Sequence, residues 1–316
     1  LGVVAPPGAG SSSAALEAPS LGLAPRTRQL LGDYVELTKP KVQSLLLLTT
    51  IATMYVAGDP SIALVALTCL GGYLSAGGAG AVNHWYDRDI DARMARTANR
   101  PVPSGRVSPA AALAFGCTLA ALSFLELSLT VNVLAASLSF AGFLGYVFLY
   151  TVWLKRRTPQ NIVIGGAAGA VPPLVGWAAV TGSVSGTAVL LFFIVFFWTP
   201  PHFWALSLLM KDEYAKVDVP MLPVVRGEKE TRRQILLYTV LLYAVTQLPF
   251  CAGGFGDIYL VVSIALGLGF IAGAIRLYRR AGRSRTIGRR SALQLYLFSL
   301  AYLALLFCAM VADAHL

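Results

Sequence analysis

Residues Asn83 to Arg106 read N-H-W-Y-D-R-D-I-D-A-R-M-A-R-T-A-N-R-P-V-P-S-G-R. Three Asp, five Arg and one His fall within these 24 residues. A charge-free run, Ser61 to Val82, precedes the stretch, and another, Pro109 to Leu125, follows it closely. Asn83, Asp87 and Asp91 are spaced i, i+4 and i+8. On a helix each such step turns about 400°, so the three side chains share one face. Two carboxylates and an amide oxygen in that register suit a hard cation that takes oxygen ligands, and Mg²⁺ fits if a phosphate completes the coordination. Arg88, Arg96 and Arg100 are candidate partners for the phosphate oxygens. The alternative is a solvated loop between two spans, which has no need of that register.

Working outward, the whole chain is apolar. Of 316 residues, 56% are hydrophobic and 13% charged, against about 25% charged in an ordinary soluble domain. The apolar runs are too long and too numerous for one soluble core, and the fold class is an all-α, polytopic membrane protein in the lipid bilayer. Cys69, Cys117, Cys251 and Cys308 all sit in apolar runs at no zinc spacing, so neither a disulfide nor a metal is expected of them.

Nine spans are expected, at about 42–58, 62–83, 109–126, 130–153, 161–181, 186–209, 234–252, 257–276 and 292–312. Residues 1 to 25 are rich in Gly, Ala, Pro and Ser and read as a disordered tail. They lack the basic region of a signal peptide and the arginines of a transit sequence. The first residue is Leu, as expected of a truncated start or a non-Met codon. Arg26 to Lys41 reads as a short interfacial helix, with Leu30, Leu31, Tyr34, Val35 and Leu37 near one face.

The net charge of +10 is a topology signal, and no nucleic-acid partner is expected because the basic residues flank spans and no recognition fold is visible. All 25 Lys and Arg lie in the N-terminal segment or in connections after even-numbered spans. The positive-inside rule then puts the N-terminus and those connections in the cytoplasm and the C-terminus outside, in a cell inner membrane. The outside connections are short, so chemistry is expected within the membrane or on its cytoplasmic side.

Three further clusters carry polar groups. In Lys211 to Glu228, Asp212 and Asp218 are candidates for a second metal or for orienting water on the first. They are six residues apart, too far out of step for one helical face, and Pro220 and Pro223 argue for a loop. Lys155-Arg156-Arg157 reads either as a topology anchor or as a cationic partner for diphosphate, with Lys155 and Arg157 the candidate contacts. Gly165 and Gly169, at small-xxx-small spacing, suit close helix packing. In Trp198-Thr199-Pro200-Pro201-His202-Phe203-Trp204 the Pro pair is expected to break or kink the sixth span. His202 would lie roughly 13 Å inside the membrane. It is either a helix–helix hydrogen bond or a porphyrin contact beside Phe203 and Trp204.

The N-x-x-x-D-x-x-x-D pattern after a second span resembles the intramembrane prenyltransferases of the UbiA superfamily. N-H-W-Y-D-R-D-I-D-A-R-M-x-R-T-x-x-R-P, L-K-R-R-T-P-Q-N-I-V-I-G-G-A-A-G-A, W-T-P-P-H-F-W-A-L and Y-A-x-x-x-V-P-M-L-P-V-V are similar to its protohaem IX farnesyltransferase branch, over about residues 34 to 312. The resemblance implies a tail over 1–33 and a UbiA-type bundle over 34–316. It implies that Asn83, Asp87 and Asp91 bind Mg²⁺ and farnesyl diphosphate, and that Arg96 and Arg100 match positions kept in that motif. It implies transfer of a farnesyl group to a vinyl of haem B, with haem A synthase as a partner. The second motif departs from the superfamily pattern of two Asp four apart after Tyr-Ala: Asp218 falls at the first position and Leu222 near the second.

The chemistry of the residues agrees. An allylic diphosphate ionises more readily when cations neutralise its leaving group, and the allylic cation must then be kept from water. The nearest rival is a related prenyltransferase acting on a quinone precursor or another aromatic acceptor. A transporter is disfavoured by the lack of internal repeats and of mid-span charges. A non-enzymatic haem carrier leaves the Asp register unexplained.

Overall fold

The computed structural model describes residues 2, 25–279 and 285–316, and every regular element among them is a helix. In chain order these are α1 (Pro25–Leu37), α2 (Pro40–Ala57), α3 (Ile62–Tyr86), α4 (Arg88–Arg93), α5 (Pro109–Thr130), α6 (Val133–Leu144), α7 (Asn161–Gly169), α8 (Pro172–Thr181), α9 (Gly186–Leu209), α10 (Lys211–Lys216), α11 (Leu222–Val225), α12 (Gly227–Cys251), α13 (Asp257–Arg279) and α14 (Arg285–His315). Of the tail expected over 1–33, residues 1 and 3–24 lie outside the described residues, as do Arg280 and Arg283, and residues 25–33 belong to α1.

Among the described residues, eight helices are long and apolar enough to cross a membrane. The first expected span is α2, an 18-residue helix that falls short because its first turns hold Pro40, Lys41, Gln43 and Ser44. It still packs into the bundle, against α3, α8 and α14. The starts follow local rules. Ser61, Ser108, Asn132 and Ser185 each accept a backbone N–H three residues on, capping α3, α5, α6 and α9.

The bundle is apolar outside and partly polar inside. Leu125, Leu129, Phe148, Val261, Leu297 and Leu305 are exposed, whereas Thr53, Thr68, Ser123, Thr246 and Ser263 are buried. In hydrocarbon, lipid tails are as apolar as Leu, so helices associate through close packing and interhelical hydrogen bonds. Ser123 donates to the Gly71 carbonyl (2.7 Å) and Ser75 to that of Ser139 (3.2 Å). At Gly78 a Cβ would come within 2.7 Å of the Gly116 carbonyl, so α3 and α5 approach as only glycine allows. The expected Gly165–Gly169 pair divides. Gly165 abuts Tyr150 and the neighbouring Gly166 abuts Thr199, whereas Gly169 faces open space. The four cysteines are free, and three of them face outward.

Two spans depart from regular α-helix. After α6 the chain continues as a π-helix from Gly145 to Leu154, and the Lys155 N–H bonds the Tyr150 carbonyl five residues back (2.9 Å). The fifth span is interrupted before Pro172-Pro173, giving α7 and α8. The break expected at Pro200-Pro201 is absent, and α9 runs through both prolines. There α9 is packed against α7, α12 and α14, and in those surroundings the Phe196 and Phe197 carbonyls lose their usual amide partners without the helix opening.

Connections assigned to one side by charge meet at one end of the bundle. Arg106 bonds Asp33 (2.8 Å), Arg93 donates to the Lys216 carbonyl (2.5 Å), and the Ala95 N–H bonds Glu213 (3.0 Å). At the opposite end Asp313 accepts the Gly256 and Tyr259 amides, and His315 reaches the Tyr55 carbonyl (3.1 Å).

Candidate active site

The Asn83–Asp87–Asp91 register survives a change of element. α3 ends at Tyr86 and α4 starts at Arg88, yet Asp87 between them keeps φ −87° and ψ 7°. The amide of Asp87 still bonds Asn83 (2.9 Å) and that of Asp91 still bonds Asp87 (2.8 Å), so the i, i+4, i+8 spacing holds. All three side chains are buried, Asp87 at 1% exposure and Asp91 at 4%.

Buried carboxylates need partners, because an ion taken out of water loses several kcal/mol of hydration. Here basic side chains from three other segments supply them. Lys155, at the end of the π-helix, pairs with Asp87. Arg156 reaches Asp87 (3.4 Å) and forks onto both oxygens of Asp89 at 2.7 Å. Arg100 pairs with Asp91 (2.7 Å). Lys39, in the turn between α1 and α2, donates to the Asn83 amide oxygen (2.6 Å), while the Asn83 amide nitrogen donates to Asp87 (2.7 Å) and to Thr151 (3.2 Å).

The electrostatics follow from that crowding. Burial, together with Arg100 and Lys155, pushes Lys39 down to about 7. Burial also works against the charged form of Lys155, but Asp87 outweighs it and the group ends above its ordinary value. The Arg156 fork holds Asp89 below the usual carboxylate range. His84 lies beside the register, buried at 1% exposure, and neither ring nitrogen has a hydrogen-bond partner.

Several expected site residues lie elsewhere. Arg88 is exposed and folds back on the end of α3, donating to the Trp85 carbonyl (2.7 Å) with its guanidinium 5.7 Å from the Trp85 ring centre. As α3 passes into α4, position 88 turns outward while 87 and 91 turn in. Arg96 is exposed on the outer loop, near Glu213. Arg157 is exposed, and its neighbour Arg156 makes the contact. Asp212 and Asp218 are both exposed, and Asp218 stands 3.9 Å from Arg93 with a left-handed φ of 55°. The second acidic loop therefore covers the outside of the first through Glu213 and the Lys216 carbonyl and adds no carboxylate to the register. Among the described residues no group of three or more His, Cys, Asp and Glu gathers as a metal site, and the register itself offers two carboxylates and the Asn83 amide.

His202 is buried in a helix–helix lock. Its Nδ1 meets the Ser299 hydroxyl of α14 at 2.6 Å, and its ring stacks between Trp198 (4.2 Å) and Tyr296 (4.8 Å). Trp198 donates to the Ser299 carbonyl (2.8 Å). This is the structural alternative for a membrane histidine. Trp204, two residues on, stands edge-on to Tyr238 at 5.2 Å.

Lys39, Thr151, Thr97 and Arg156 belong to the site without having been singled out. Thr97 is buried and bonds the Asp91 carbonyl (2.9 Å), fixing the loop that returns Arg100. Lys39 and Arg156 were visible only as members of basic clusters, Thr97 only as a letter of the quoted motif, and Thr151 as an unremarkable residue near the end of a span.

As a donor set, Asn83, Asp87 and Asp91 fit a hard divalent cation: three oxygen ligands on one face with no sulfur or imidazole among them. The surrounding cations fit a polyanion. Lys155, Arg100 and Lys39 now occupy the groups a metal would take, so a metal diphosphate would exchange both halves of each pair, the metal going to the carboxylates and the phosphate oxygens to the ammonium and guanidinium groups.

The sequence profile of the UbiA prenyltransferase family matches residues 46–300. A curated relative from Chloroflexus aurantiacus, named protoheme IX farnesyltransferase, is 54% identical over 92% of this chain and 49% of its own length. Another of that name, from Symbiobacterium thermophilum, is 52% identical over 90% of this chain and 95% of its own. The chain thus spans about half the length of the first relative and nearly all of the second. A UbiA homologue from Archaeoglobus fulgidus, solved bound to DMAPP and Mg²⁺, superposes with a TM-score of 0.66 at 16% identity over 88% of this chain and 99% of that one.

Proposed function

Because the chain belongs to the UbiA prenyltransferase family, we propose that it transfers a farnesyl group from farnesyl diphosphate to a vinyl group of haem B, with Mg²⁺ at Asn83, Asp87 and Asp91. The observation that carries the chemistry is the buried face of two carboxylates and an amide ringed by Lys39, Arg100, Lys155 and Arg156. The relatives' shared name supports the choice of substrates.

When bound, Mg²⁺ neutralises charge on the departing diphosphate. Asn83, Asp87 and Asp91 would hold it. Lys39, Lys155 and Arg100 would bind the phosphate oxygens, with Arg156 steering Asp87. These donors are gathered around the register before substrate arrives and exchange their carboxylate and amide partners for phosphate oxygens as it binds, where they offset the developing charge. The helix wall keeps water from the allylic cation until the acceptor vinyl attacks it. That attack leaves a cation on the porphyrin side chain, which water then quenches as a hydroxyl with loss of a proton, so the acceptor vinyl itself needs no strong base. The cytoplasmic location of this end, an inner-membrane setting and haem A synthase as the consumer of the product complete the reading.

The experiment is product analysis. Purified protein in lipid nanodiscs is given farnesyl diphosphate, Mg²⁺ and either haem B or an aromatic acid. Farnesylated haem, lost on chelation of the metal, is the expected result. Prenylation of the aromatic acid alone would favour the quinone-precursor rival, and no metal-dependent diphosphate release would overturn the reading.

A further inference from the structure

Thr151 lies within the π-helix and is 0% exposed. A buried threonine in a span commonly spends its hydroxyl on its own helix, on the carbonyl four residues back. Thr53, Thr199, Thr239 and Thr246 do so at 2.7–2.9 Å. Around Thr151 the backbone bonds run five residues back, as from the Lys155 N–H to the Tyr150 carbonyl. That wider turn takes the carbonyl four back out of line with the side chain. The Thr151 hydroxyl instead meets the Asn83 amide nitrogen of α3 at 3.2 Å. This contact bears on which end of Asn83 a metal would meet, because only the oxygen of an amide ligates a hard cation. The Asn83 nitrogen carries two hydrogens and has two acceptors, Asp87 (2.7 Å) and Thr151. Its oxygen is thereby turned to the Lys39 ammonium (2.6 Å). Reversing the amide would set oxygen against the Asp87 carboxylate and nitrogen against the ammonium, acceptor on acceptor and donor on donor.

We propose that Thr151 is a positioning residue for the metal, its hydroxyl holding the Asn83 amide with the oxygen toward the cation. The proposal rests on the functional reading above, in which Mg²⁺ binds the register. Asp87 alone does not suffice as the anchor. The carboxylate oxygen that accepts from Asn83 is the one paired with Lys155, and in that reading Asp87 turns to the metal. The Thr151 hydroxyl is neutral and buried, so it stays with the amide whether or not the site is loaded. The π-helix then serves the site twice: it brings Lys155 to Asp87, and it frees Thr151 for Asn83.

The test uses the full chain in lipid nanodiscs with Mn²⁺, a paramagnetic substitute for Mg²⁺ that also takes oxygen ligands, and farnesyl thiolodiphosphate, which keeps the diphosphate but ionises slowly. Free Mn²⁺ is counted by electron paramagnetic resonance. Thr151→Val is expected to weaken Mn²⁺ binding by about three- to tenfold, the scale of one lost hydrogen bond, and Thr151→Ser to retain it. Thr151→Ala removes the hydroxyl without setting a methyl against the amide. It should match Thr151→Val and replaces it if that variant does not fold. Turnover gives a second readout. The deficit should be largest at low Mg²⁺ and shrink as Mg²⁺ is raised, whereas a merely structural defect lowers the rate by one factor at every Mg²⁺ concentration. Mn²⁺ binding unchanged in the Val and Ala variants overturns the proposal and leaves the functional reading standing, as does a loss that is equal in Thr151→Ser. No Mn²⁺ binding by wild type overturns the functional reading and the proposal with it.

Discussion

Lys155 and Asp87 stand 68 residues apart in the chain and share an ion pair in which the carboxylate is 1% exposed. The pair joins the π-helical end of the fourth span to the junction of α3 and α4, and it gives the register two functions. In the proposed function the carboxylate would ligate the metal, and in the structure it anchors a buried cation.

Asp87→Asn is therefore expected to do two things. Turnover should fall about 10²–10³-fold, the usual loss when one electrostatic element of a transition-state site is removed. Stability should fall as well, by about 3–5 kcal/mol at most, because Lys155 is left buried and unpaired. Adding Lys155→Gln should restore stability without activity. Thermal unfolding and prenyl transfer measured on the single and double variants check this. A double variant as unstable as Asp87→Asn would show that the pair is not what holds the two spans.

Asp89→Asn should cost much less. Asp89 is 60% exposed and turns away from the register, but it shares Arg156 with Asp87. A loss of less than about tenfold is expected, below the range for a direct element. Equal losses at 87, 89 and 91 would mean that the register is not the metal face.

Arg156→Gln and Arg157→Gln are expected to differ despite being neighbours. The first removes a cation that contacts Asp87, and KM for farnesyl diphosphate should rise. The second removes an exposed side chain and should leave KM near wild type. Steady-state kinetics at saturating Mg²⁺ separate them, and the reverse ranking would place the wrong arginine in the site.

His202→Ala and Ser299→Ala should each lower stability by about 1–3 kcal/mol, the cost of leaving a buried polar group unsatisfied. Their effects should not add, since both break one hydrogen bond. Additive losses in a double-mutant cycle would mean that the 2.6 Å contact contributes little, and a lost haem affinity at unchanged stability would return His202 to the acceptor side.

Cysteine placed at position 157 or 226 should react with an impermeant thiol reagent only from the cytoplasmic face, and cysteine at 59 or 257 only from outside. The basis is the distribution of all 25 basic residues. Labelling at 157 from outside would invert the topology.

The sequence by itself determined the all-helical membrane architecture, because apolar run length and charge placement answer to the bilayer and not to packing. It determined the Asn83–Asp87–Asp91 register, because helical periodicity is local, and here the backbone bonds carry it across the α3–α4 junction. What it left open is which cations close on that face. Arg88 is nearest in sequence and points away, whereas Lys39, Arg100 and Arg156 arrive from a turn, a loop and the turn after a π-helix, whose directions depend on neighbouring helices. The same limit applied at the two Pro pairs. Identical dipeptides interrupt the fifth span and leave the sixth continuous, because the surroundings decide whether a missing amide opens a helix. The His202–Ser299 lock brings together residues from separate helices, and only tertiary packing could pair them.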